Sequence, residues 1–249
     1  MIKHIHNTLR KAIGKERQRI CFIHIPKCAG TSLVVAFKDN YPSHQIRTIG
    51  AAHSQKIAEH INISIYELRT TIAAYLLHNK KIRFISGHIP WCCWMAEMKD
   101  WYFISLLRDP VQRWISAYFY SRHKTSNHCK ISLNLDDFLD TTRAVEMGHV
   151  YTSYFLGKPL RSYPSLKELG TAAENLKKFN LIGFMDDFPE FLQQLASLTK
   201  ISFSLQKLNV NPLKETDPLK QINDDQLAKI KRLCQPDYFI YQAANDLWR

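Results

Sequence analysis

The sequence predicts an α/β fold: a parallel sheet with helices on both faces. Three observations predict it. Four short runs, residues 21–25, 82–86, 102–107 and 180–184, are mainly apolar and continuous rather than alternating, as expected of strands buried on both sides. Between them lie segments whose apolar residues recur at helical spacing. Strand alternating with helix is the order that right-handed crossovers build into a parallel sheet.

Taken in order, the first run turns through Pro26–Lys27–Cys28–Ala29–Gly30 into a helix over residues 31–37. A possible second strand precedes Gly50 and His53, and residues 64–78 carry a helical apolar stripe. The run at 102–107 leads into residues 110–120, where Val111, Trp114, Ile115 and Tyr118 share one helix face. Residues 121–135 hold Arg122, His123, Lys124, His128 and Lys130 and read as a polar surface loop, followed by a short helix over 136–142. After the last strand, residues 208–222 form a second loop marked by Pro212 and Pro218. Helices over 224–233 and 238–248 close the chain. No repeat or low-complexity linker interrupts it, so one domain over residues 1–249 is expected, with a basic N-terminal segment over 1–19.

At 249 residues the chain is long enough to bury a full core. Its 34 Lys plus Arg against 22 Asp plus Glu leave a net charge of +12, which favours an anionic partner. Six cysteines with no C-x-x-C pair exclude a disulfide scaffold and the usual zinc spacing, and a reducing, cytoplasmic setting follows. The N-terminus lacks the apolar stretch of a signal peptide, and no run approaches the roughly 18 apolar residues of a spanning helix. The alternative setting is the lumenal part of an enzyme whose anchor is missing.

Residues 22–33, FIHIPKCAGTSL, carry the first chemical signal. A strand that turns directly into a helix leaves backbone N–H groups unpaired at the helix start, and these with the helix dipole favour an anion. Gly30 permits close backbone approach, Thr31 and Ser32 add hydroxyls, and Lys27 adds a charge. The stretch is a phosphate cradle at the carboxyl end of a strand. It is not a Walker A loop, whose lysine directly precedes the hydroxyl residue; here Lys27 stands three residues before Gly30. The plain alternative is an ordinary turn with Thr31 or Ser32 as helix cap.

Residues 103–120, FISLLRDPVQRWISAYFY, repeat the arrangement. Arg108 stands at a strand end, Asp109 can cap, and Pro110 suits the first helical position. Ser116 lies about two turns further on, within reach of the same anion, and arginine offers the planar fork that phosphate takes. The plain alternative is a surface Arg–Asp pair. Two anion sites at neighbouring strand ends imply a ligand with phosphate groups at both ends.

Together these stretches resemble the sulfotransferases that use 3′-phosphoadenosine 5′-phosphosulfate (PAPS), nearest to the branch of heparan sulfate 2-O-sulfotransferase and related carbohydrate sulfotransferases. HIPKCAGTS, residues 24–32, is similar to that branch's 5′-phosphosulfate loop, with Cys28 in place of threonine. Residues 108–118 match its R-D-P-x-x-R-x-x-S-x-Y pattern for the 3′-phosphate, and DYFIYQAA resembles its closing Asp-x-x-x-Tyr segment. The resemblance implies a P-loop-NTPase-like sheet, PAPS as cofactor with 3′-phosphoadenosine 5′-phosphate (PAP) as product, and a hydroxyl acceptor on a glycan or glycoconjugate. It implies neither metal nor nucleic acid. The cofactor would be held by Lys27, Gly30, Thr31, Ser32, Arg108 and Ser116, with Lys27 also stabilising the leaving phosphate oxygen.

Sulfuryl transfer to an alcohol also needs a base. The resemblance places it at His88, in the glycine–histidine pair that ends the run at 82–86. An imidazole near its free pKa suits that task, and Gly87 leaves room beside it. His53 is the alternative base, and His24 reads as a packed strand residue. Trp91, Trp94 and Trp101 read as core, with an acceptor platform as the alternative. Two rival functions remain open: a nucleotide-dependent kinase on a similar sheet, and a non-catalytic polyanion-binding module.

Overall fold

The computed structural model describes residues 18–201, 203 and 221–249. Residues 1–17 of the expected basic segment and residues 208–220 of the expected second loop lie outside the described residues.

Each of the four apolar runs forms a strand, and a fifth joins them. Strands β1 (Arg19–Ile23), β2 (Ile46–Ile49), β3 (Phe84–Gly87), β4 (Trp101–Leu107) and β5 (Leu181–Phe184) make one parallel sheet in the order β2-β3-β1-β4-β5. The strand expected only as possible is β2. It is a sheet edge whose Arg47 and Thr48 are exposed, so it lacks the continuous apolar signature of the inner strands. The helices are α1 (Gly30–Lys38), α2 (Ala51–His60), α3 (Ile65–His78), α4 (Pro110–His123), α5 (Leu135–Leu139), α6 (Thr142–Gly148), α7 (Val150–Leu156), α8 (Leu166–Leu176), α9 (Phe188–Thr199), α10 (Asp224–Leu233) and α11 (Gln235–Trp248).

Helices cover both faces, and β1 shows why its run is continuous rather than alternating. Ile20 and Phe22 pack with Phe84 and Ile104 against Leu33 and Phe37 of α1 and Phe191 and Leu195 of α9. Cys21 and Ile23 pack on the other side, with Leu77 of α3, Phe155 of α7, Ala172 of α8 and Ile240 of α11. A third cluster joins Trp114 and Tyr118 of α4 to Phe138, Ala144 and Ile230. There the indole N–H of Trp114 donates to Ala144 O at 3.0 Å, satisfying its one polar atom.

Several boundaries differ from expectation for physical reasons. β1 starts at Arg19, buried although charged, because its guanidinium donates to the carbonyls of Ile82, Leu77 and Asn79, pairs with Asp100 and lies 4.1 Å from the Trp101 ring centre. Trp91 and Trp101 are accordingly core residues, and Trp94 packs against that core half-buried. The helix expected over 136–142 is the shorter α5, and a separate helix, α6, begins only at Thr142. α7 gave no periodic signal because Tyr151, Thr152, Ser153, Tyr154 and Phe155 are all buried.

β1 is the central strand. Crossovers carry the chain from it to β2 and β3 on one side, then to β4 and β5 on the other. The ends of β1, β3 and β4 therefore meet where the direction of winding reverses, the crevice in which open α/β sheets bind ligands.

Candidate active site

The loop after β1 is strained. Lys27 and Ala29 are both left-handed, with φ of 69° and 51°, although neither is glycine; such residues cost on the order of 1–3 kcal/mol each. Ala29 precedes α1 with no side-chain cap, so neither Thr31 nor Ser32 serves as the helix cap of the plain alternative. Among the described residues the N–H groups of Gly30 and Thr31, in the first turn, have no acceptor. Thr31 is exposed and Ser32 buried. Unpaired N–H groups at a helix start are the feature that suits an anion.

Gly30 has a different reason from the one expected. A Cβ there would stand 2.0 Å from Cδ2 of His24, whose ring lies directly over it. The space that glycine opens is filled by His24. The ring of His24 stacks on Phe22 at 5.4 Å and meets that of His88 at 4.6 Å. Burial, then the neighbouring His88, holds its pKa down to about 3.

The end of β4 is regular by comparison. Asp109 caps α4 by accepting from Gln112 N–H at 2.9 Å, with Pro110 as the first helical residue. Its other carboxylate oxygen accepts from the hydroxyl of Tyr238 at 2.5 Å. Arg108 is seated by the buried Tyr151 of α7, whose hydroxyl accepts from Arg108 N–H at 2.9 Å and donates to Arg108 O at 2.5 Å. That hydroxyl also stands 3.5 Å from Sγ of Cys28 in the β1 loop. The guanidinium of Arg108 makes no ion pair among the described residues. Ser116 is half-buried on α4, and among the described residues no hydrogen bond joins it to Arg108.

Behind this end lies a buried ion pair. Arg113, 1 % exposed, stands 4.0 Å from Asp237, 0 % exposed. Asp237 accepts from the N–H groups of Tyr151 and Thr152, each at 2.9 Å, and from the Thr152 hydroxyl at 3.1 Å. It thus caps α7. Burial pushes its carboxyl up to about 6 against the opposing pull of Arg113 and those donors. The Asp of the tail segment is a structural anchor for α7, whose Tyr151 holds the Arg108 backbone.

His88 follows β3, beside the β1 loop. Its Nδ1 lies 2.6 Å from His24 O. A carbonyl only accepts, so Nδ1 carries the proton and Nε2 keeps a free lone pair, the arrangement of a base. Burial lowers its pKa to about 4; the hydrogen bond to His24 O opposes this and Arg69 adds to it. The expectation of a pKa near the free value is overturned: desolvation keeps this imidazole neutral well below pH 7. Arg69 of α3 donates to His88 O at 3.4 Å, Ser54 Oγ at 3.0 Å and Ala51 O at 3.3 Å, tying β3's end to α2. Gly87 also differs from expectation, since a Cβ there would lie 2.8 Å from Cβ of Ile49 on β2; it admits the neighbouring strand. His53 is exposed in the first turn of α2, at the end of the edge strand.

Positive charge collects between the ends of β1 and β4. The ammonium of Lys27 rests 3.8 Å from the Tyr120 ring centre, and that of Lys124 lies 5.7 Å from the same ring. Burial, then Arg108, lowers the Lys27 pKa to about 8, with Cys28 opposing and Lys124 adding. Lys27 and Arg108 are therefore close enough to repel each other, and neither pairs with a carboxylate among the described residues. Two such cations beside unpaired N–H groups suit a polyphosphorylated ligand. Sequence reasoning missed Tyr151, Tyr120 and Arg69, which carry no motif of their own.

No helix among the described residues is long and apolar enough to cross a membrane, and no cluster among them suits a metal ion. None of the curated proteins matches the chain. Among solved structures, mouse sulfotransferase SULT7A1 complexed with PAP is 17% identical, over 87% of this chain and 64% of that one, with a TM-score of 0.43. This chain therefore spans less than two thirds of that chain's length. The model of the family described as "Sulfotransferase family" matches residues 10–245, nearly the whole of the chain. The chain belongs to the sulfotransferase family.

Proposed function

We propose that the chain is a PAPS-dependent O-sulfotransferase acting on a hydroxyl of a carbohydrate. One observation carries the reading: the cations Lys27 and Arg108, each without an ion pair among the described residues, follow the neighbouring strands β1 and β4, and Lys27 sits in a strained loop with free N–H groups. PAPS, when bound, supplies the sulfuryl group and a phosphate leaving oxygen. The N–H groups of Gly30 and Thr31, the hydroxyls of Thr31 and Ser32 and the Lys27 ammonium hold the 5′ end. Arg108 and Ser116 hold the 3′-phosphate. Lys27 would stabilise negative charge on the leaving oxygen. His88 takes the acceptor proton at Nε2, its ring held by the Nδ1–H bond to His24 O. The carbohydrate acceptor rests on the resemblance of the two motifs to the heparan sulfate 2-O-sulfotransferase branch. All six cysteines are free, which supports a reducing, cytoplasmic setting.

The test is transfer of labelled sulfate from PAPS to a panel of glycans in the presence of a chelator. Transfer without metal is expected. Activity that needs ATP and magnesium, with none from PAPS, would instead establish a kinase.

A further inference from the structure

We infer that Tyr151 is the positioning residue that aims Arg108 and couples the second anion site to the β1 loop, an inference that rests on the function proposed above. β4 ends at Leu107, so the N–H and C=O of Arg108 lie beyond the regular strand. One hydroxyl supplies both missing partners. Tyr151 OH accepts from Arg108 N and donates to Arg108 O, which fixes the peptide from which the guanidinium projects. The same oxygen reaches Cys28 Sγ at 3.5 Å, so one phenol touches both strand-end loops.

The phenol is itself held from behind. The N–H of Tyr151 donates to Oδ2 of Asp237, and Thr152 donates twice to Oδ1. Burial holds the Tyr151 hydroxyl well above its ordinary pKa, so it stays protonated and able to donate to Arg108 O. The ring belongs to the main core cluster, which also holds Ile23, Cys28 and Ile240. Removing only the oxygen would leave that packing while releasing both backbone groups of Arg108.

The experiment compares PAP with adenosine 5′-monophosphate, a pair that differs only in the 3′-phosphate, by calorimetry. In Tyr151→Phe, PAP affinity should fall about 10-fold and adenosine 5′-monophosphate affinity by less than about two-fold. In an Arg108→Ala background the same substitution should add no further loss of PAP affinity, because the residue acts through Arg108. Equal weakening of both ligands, simple addition of the two losses, or no change would each overturn the inference. Thr152→Val keeps the phenol but deletes one bond that seats α7. It should lower the PAP preference in the same direction even if Tyr151→Phe does not fold, and an unchanged preference there overturns the inference as well. Wild type that binds neither nucleotide, or both equally, overturns the cofactor reading itself, a result distinct from any variant effect.

Discussion

The ends of β1 and β4 present cations to the same crevice by opposite means. After β1 the backbone does the work: two left-handed residues, an uncapped helix start and a histidine ring over Gly30 shape the loop within nine residues. After β4 the backbone is ordinary, with a side-chain cap and a proline at the first helical position. Its shape comes from far along the chain, through Tyr151, Asp237 and Tyr238. A locally built site tolerates changes elsewhere and fails when its own residues change. A remotely braced site fails when the brace is removed.

The largest effect should come from His88, the proposed base, whose Nδ1–H is held by His24 O after β1. His88→Ala should reduce turnover by about 10²–10⁴-fold while leaving PAP affinity within a few-fold, as read by steady-state rates and calorimetry on one preparation. In the wild type the acidic limb of kcat/KM should lie nearer pH 4 than the usual histidine value, since burial lowers the His88 pKa to about 4. Near-normal turnover here with collapse in His53→Ala would move the role to His53.

The brace comes next. Asp237→Ala leaves Arg113 buried without its partner and uncaps α7, so urea denaturation should show a loss of about 3–5 kcal/mol. A loss under about 1 kcal/mol would mean that the second site is not supported from behind. Lys27→Ala should show the reverse pattern. Turnover should fall about 10²–10³-fold, yet the melting temperature should hold or rise, because the substitution relieves a half-buried ammonium repelled by Arg108. A fall of several degrees in melting temperature would give Lys27 a structural role.

This contrast also explains what was legible in the sequence. The strands β1, β3, β4 and β5, the Lys27 loop and the Arg108 turn were readable because each is a local pattern of apolar run, turn and helix start. The purposes of Gly30 and Gly87 were not, since each glycine answers to a partner from another segment, His24 and Ile49. α7 was invisible because burial on all sides erases helical periodicity, and with it went Tyr151. The depressed pKa of His88 follows from packing that no local pattern encodes.

The smallest effect is the acid sensitivity of the fold. His24, His88 and His149 are held at about 3, 4 and 4, below the unfolded value of about 6.5. As pH drops below about 6.5 the unfolded chain takes up protons that the folded chain refuses, so stability should fall towards pH 4. Asp237, held up at about 6, opposes this because its folded carboxyl binds a proton first, and one such group against three leaves the sign unchanged. His149 is fully buried and lies far from either motif in the sequence. His149→Gln should reduce the slope of stability against pH by up to about 1.4 kcal/mol per pH unit in urea titrations between about pH 4.5 and 6.5. An unchanged slope would mean that this ring is protonated in the folded state.

The central claim, that two strand ends hold the two ends of one cofactor, is tested most directly by titrating PAPS and adenosine 5′-phosphosulfate into wild type and Arg108→Ala. The two ligands differ only by the 3′-phosphate. Wild type should prefer PAPS by about 10–100-fold, the worth of a charged hydrogen bond of roughly 1.5–3 kcal/mol, and Arg108→Ala should erase that preference while still binding both. Equal affinity of wild type for the two ligands, or a preference that survives in Arg108→Ala, would contradict the account.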